Sequence, residues 1–139
     1  CAGKHKIKSE CIRADNHEEH SMYIIEQSDI FGLTRDEISI ISQVAYYHRG
    51  KHRPQYNTQF SMSNRADRIT ILKLTAILRL ADALDRGHSQ KINEFSIKFQ
   101  TDSLVISCSH NQDLALERLA VTQKSDFFES VFGYKVFLN

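Results

Sequence analysis

Titratable groups stand on or beside the apolar face of each of three predicted helices: His17 and His20 on the first, His48 on the second, Asp82 and Asp85 on the third. Helices pack through their apolar faces, so these side chains converge if the three helices are neighbours. A buried charge is costly unless it is paired or bound to a metal, so convergence calls for a chemical reason. Imidazole and carboxylate suit zinc, iron or manganese, and such an ion would neutralise the carboxylates and activate a water. The plainer explanation stands beside it. A histidine on an apolar stripe is commonly a hydrogen-bonded core or edge residue, and Asp82 and Asp85 near Arg79 and Arg86 suit a salt-bridged surface.

The run His17-Glu18-Glu19-His20 is not the HExxH zinc motif, because its histidines are three apart and its glutamates stand elsewhere. Spacing i, i+3 still aims both rings at one helix face. Glu18 and Glu19 belong to a first turn, where negative charge suits the helix dipole, and no chemistry is expected of them.

A second cluster is basic: Tyr46-Tyr47-His48-Arg49-Gly50-Lys51-His52-Arg53-Pro54, with Arg65 and Arg68 beyond. Cations around one helix end can hold phosphates by charge and by two-pronged arginine contacts. A solvated basic loop accounts for the same composition. There is no glycine-rich phosphate loop, no Ser-His-Asp constellation and no dinucleotide fingerprint.

The elements that must position these groups follow from period and caps. A first helix is predicted from Asn16 or His17 to about Asp29, and a second from the capping box Thr34-Arg35-Asp36-Glu37 to about His48, with Ile38, Ile41, Val44 and Ala45 inward. Residues 49–63 read as a long loop. A third helix, from about Asn64 to Arg86, has the stripe Leu74, Ile77, Leu78, Ala81 and Leu84, with Gly87 as its stop. Then Glu94 to Gln100 alternates with period two, Thr101-Asp102 turns, and Ser103 to Cys108 returns as a strand. A helix from Asp113 to Phe132, capped by Gly133, and a strand at Tyr134 to Leu138 complete a β-β-α-β unit. The fold class is therefore mainly α, with a helical bundle over 1–90 and a small α+β subdomain over 91–139.

The chain's 139 residues suffice for one core, and its formal charge of +1 provides no global field for a nucleic-acid coat or a membrane surface. Sequence-specific nucleic acid and membrane are not expected partners. Three cysteines with no CxxC pair suit a reducing cytosol, so a cytoplasmic setting is expected. The first residue is Cys rather than Met, which reads as a piece of something longer.

The strings HSMYIIEQSDIFGLTRDE, VAYYHRGKHRP and ILRLADALDRGHSQ, in this order, resemble the C-terminal half of the exopolyphosphatase / guanosine pentaphosphatase (Ppx/GppA) family, over about residues 12 to 139. The resemblance implies an HD-type helical domain followed by a small α+β segment. It also implies a bacterial parent that hydrolyses phosphoanhydrides, polyphosphate or guanosine pentaphosphate, through actin-like lobes this chain lacks. The HD-type region would then guide the polyanion and support a homodimer, with His48, Arg49, Lys51 and Arg53 at the phosphate-binding positions. The wider HD superfamily implies a divalent metal, for which His20, His48 and Asp82 match. Its His-Asp dyad is missing: the sequence near its expected place reads His5-Lys6-Ile7-Lys8.

Three readings follow. The first is an accessory C-terminal module, itself inactive, that binds polyphosphate or another phosphate polyanion. The second is a degenerate metal-dependent HD phosphohydrolase. The third is a purely structural dimerisation module.

Overall fold

The computed structural model describes residues 17–49, 53–87, 92, 94–108 and 113–139. The basic arm at 1–14, the His5 to Lys8 stretch and Lys51 lie outside them. The helices are α1 (His17–Glu26), α2 (Arg35–Arg49), α3 (Thr58–Met62), α4 (Arg65–Leu84) and α5 (Ala115–Phe132), and the strands are β1 (Phe95–Phe99), β2 (Ser103–Cys108) and β3 (Lys135–Leu138). The architecture is mainly helical with a small three-stranded sheet, as patterning predicts.

Local chemistry sets several ends. At the start of α2 the Thr34 N–H donates to Glu37 Oε2 at 2.7 Å and the Glu37 N–H donates to Thr34 Oγ1 at 3.3 Å, closing the predicted capping box. The bonds from Thr34 hold the Glu37 carboxyl below its ordinary range. Asn64 caps α4: its Oδ1 accepts from the Asp67 N–H at 2.9 Å and its Nδ2 donates to Asp67 Oδ2 at 2.7 Å. At the end of α5, Gly133 takes φ 78° and donates its N–H to the Glu129 carbonyl at 2.8 Å. The α4 helix ends at Leu84, two residues short of the predicted Arg86, where the Asp85 N–H closes onto the Ala81 carbonyl.

The predicted loop at 49–63 contains a 3-10 turn at Pro54–Tyr56 and the five-residue α3, which is too short to show a period. Asn57 starts α3 by accepting the Gln59 N–H, and Pro54 and Phe60 are buried. Glu26 ties α1 to this layer: its Oε1 accepts from Gln59 Nε2 at 2.7 Å and from Ser42 Oγ at 3.3 Å. No residue of α1 is itself buried.

The principal correction concerns α4. The face that packs is Ile71, Thr75, Ala76, Leu80 and Ala83, whereas Leu74, Ile77 and Leu78 of the predicted stripe are 43%, 51% and 39% exposed. The helix is apolar on more than one side, so periodicity alone does not choose between them. The choice is made by α5, whose Ala120, Val121, Phe127 and Phe128 form one core with Ala76, Leu80 and Ala83 and with Leu104, Ile106, Val136 and Leu138 of the sheet. A smaller cluster joins Val44 and Tyr47 of α2 to Phe60 and Ile71.

The hairpin has the predicted turn. β1 pairs antiparallel with β2 in the register Phe99↔Leu104, and β2 pairs parallel with β3 through Leu104↔Val136. Phe95, Ile97 and Phe99 oppose Cys108, Ile106 and Leu104, yet all three are exposed, because β1 is an edge strand beyond the cover of the core.

Candidate functional site

The C-terminal ends of α2 and α4 lie side by side, and Arg79 fastens them. Its Nε and Nη2 both donate to the Tyr47 carbonyl, at 2.9 and 2.7 Å, satisfying one of the four last acceptors that a helix leaves open. Its guanidinium also lies 4.8 Å above the centre of the Phe127 ring, so one side chain joins α2, α4 and α5. Burial and neighbouring Arg53 lower its pKa, against the opposing pull of Glu18. Tyr47 is almost fully buried, and burial, with Tyr46 beside it, pushes its hydroxyl up to about 12.

This clamp fixes His48 and Arg49 in the next two positions. The His48 Nδ1–H donates to the Ala45 carbonyl at 2.7 Å, which leaves Nε2 as the outward nitrogen. His48 borders two cavities of about 330 Å³ each. One is an apolar groove between α2 and α4, lined by Ile41, Val44, Leu74, Ile77 and Leu78. The other is shared with His17, Glu18, Ser21 and Arg49. The first-turn histidine that shares a cavity with His48 is thus His17, while His20 stands exposed on α1. Glu19 and Glu18 are felt at Tyr46, whose hydroxyl is raised by burial and then by these two carboxylates.

Asp82 lies in a third, polar cleft of about 240 Å³ with Arg49, Arg86 and Lys124. Lys124 of α5 donates to Asp82 Oδ2 as an ion pair that is about four-fifths shielded from solvent. Burial alone would raise the Asp82 carboxyl, but Lys124, Arg49 and His48 outweigh it and hold it below the ordinary range. Arg53 is exposed near Arg79, and Lys51 lies outside the described residues.

The structure does not gather into one group the three residues that the HD resemblance implies for a metal. Asp82 Oδ2 is paired with Lys124, and His20 lines neither the cavity that His48 shares with His17 nor the cleft of Asp82. Among the described residues no group of three His, Cys, Asp or Glu side chains is arranged to hold an ion. Sequence reasoning set Arg86 near Asp82 but missed Lys124 as a member of this cleft, which only a contact 42 residues apart in sequence reveals.

No curated protein matches the chain. A family model described as Ppx/GppA phosphatase, domain III, matches residues 5–125. That span covers most of the 139 residues, including Tyr47, Arg79, the cleft and α5 as far as Ser125, and leaves Phe127 and β3 beyond its end. The chain belongs to the Ppx/GppA phosphatase family, within the C-terminal region that domain III forms.

Proposed function

We propose that this chain is the accessory C-terminal region of an exopolyphosphatase or guanosine-pentaphosphatase type of protein, and that it holds a phosphate polyanion rather than hydrolysing it. The observation that carries the reading is the gathering of guanidinium groups at the end of α2: Arg49 acts on Asp82, and Arg53 acts on Arg79. Arg49 and Arg53 make no ion pair with any described residue, so their donors are available to phosphate oxygens. His48 and Lys51 are the remaining members of the proposed contact. Hydrolysis belongs to lobes outside this sequence, and a cytoplasmic setting is part of the same reading. Among the described residues no helix is long and apolar enough to cross a membrane.

Titration of the chain with long-chain polyphosphate at rising salt tests this. Affinity that weakens steeply with ionic strength is expected, because solvent-facing charges are screened beyond roughly 10 Å at 0.1 M salt. Absence of binding even at low salt overturns the reading.

One observation favours a second role. The α2/α4 groove keeps Ile41, Leu74, Ile77 and Leu78 at least 37% exposed, and an apolar face of this kind suits self-association into a homodimer. Light scattering across a dilution series decides it; a monomer at every concentration removes the idea.

A further inference from the structure

The cleft at Arg49, Asp82, Arg86 and Lys124 has the opposite polarity to a metal site, and its ligand follows from that inversion. We infer that it is a seat for one tetrahedral oxyanion of the phosphate class, in which Lys124 is shared between Asp82 and the bound anion. This deepens the polyanion reading above and rests on it, naming a single phosphate position and adding Arg86 and Lys124 to the contact.

Three cations surround one carboxylate, leaving the cleft with an excess of two positive charges. Helix ends explain part of this. Arg49 is the last residue of α2 and Arg86 lies just beyond α4, where cations complement the negative end of the helix dipole. That argument does not extend to Lys124, which stands in the middle of α5 and reaches the cleft from a third direction. Nor does it explain why the side chains of Arg49 and Arg86 make no hydrogen bond or ion pair with any described residue.

Two guanidinium forks and an ammonium match the several oxygens of a phosphate group, which accept from multiple directions at once. Size narrows the ligand further. A volume of about 240 Å³ is below the roughly 300–1,000 Å³ of pockets that enclose drug-sized molecules. The seat therefore has room for one phosphate group, free or at one position of a longer molecule. Asp82 has two effects in it. Its carboxylate aims the Lys124 ammonium into the cleft, and it competes with the incoming anion for that ammonium.

Calorimetric titration of the full chain with tripolyphosphate and with long-chain polyphosphate at low salt tests the seat. Arg86→Gln and Lys124→Gln should each weaken binding roughly tenfold, the scale of one lost charge-assisted hydrogen bond. Lys98→Gln on exposed β1, which lines no part of the cleft, removes the same charge and should change affinity less than about twofold. Asp82→Asn should tighten binding by releasing Lys124; equal or weaker affinity overturns the sharing of Lys124. If both anions bind but Arg86→Gln and Lys124→Gln act no more strongly than Lys98→Gln, the seat is overturned and the polyanion reading stands. If neither anion binds the wild-type chain, both fall. Arg86 is exposed, so its variant keeps the test independent of folding, and thermal melts of each variant confirm this.

Discussion

Arg79 is the side chain on which the candidate site most depends. It donates twice to the Tyr47 carbonyl and covers the Phe127 ring, so its loss leaves a helix-end acceptor open and removes a cation–π contact together. Arg79→Ala should destabilise the chain by about 2–4 kcal/mol, measured by urea denaturation. Arg79→Lys should recover only part of this, since an ammonium lacks the planar fork. Asp82 makes a pH-dependent contribution. Its folded pKa is depressed, so the stability it adds is present above the ordinary carboxylate range and is lost as pH falls through the folded pKa. The stability gap between wild type and Asp82→Asn should therefore be full at pH 7, shrink below about pH 4 and close in stronger acid, by the same denaturation assay.

At the scale of elements, caps and turns decide most boundaries. Gly133 sits at φ 78° with open space where a Cβ would lie, so Gly133→Ala should cost about 1 kcal/mol through backbone strain alone. Gly133→Asn should cost less, as read from the shift in melting temperature. Asn64→Ala, which removes the α4 cap, should also cost about 1 kcal/mol. These signals lie within three or four residues of the ends they set, which is why the capping box, the hairpin turn and the Gly133 stop are legible in sequence. The predicted end of α4 at Arg86 overran by two residues, because the Asp85 N–H closes the last turn onto the Ala81 carbonyl and such a bond leaves no mark in the sequence. The 3-10 turn and α3 were hidden because neither is long enough to show a hydrophobic period.

At the scale of the whole molecule, one core runs from α4 through α5 to the sheet, and Phe127 links it to the Arg79 clamp. Phe127→Ala should cost about 3–5 kcal/mol in denaturant and loosen the α2 end as well. The opposite side of α4 remains an apolar groove. Ile77→Glu should leave stability within about 0.5 kcal/mol, given the residue's 51% exposure, while abolishing any concentration-dependent association seen by light scattering.

Sequence alone determined what is local: the amphipathic helices, the Thr34 to Glu37 cap, the hairpin with its turn, the Gly133 stop and the family carried by the three ordered motifs. It also placed His48 and Arg49 at a basic helix end. Tertiary structure alone decided which apolar face of α4 is covered, that His17 rather than His20 shares a cavity with His48, and that Lys124 neutralises Asp82. The reason is physical. A cap or turn is closed by neighbours along the chain, whereas the choice of buried face and the partner of a carboxylate depend on an element, α5, that arrives from 42 residues away.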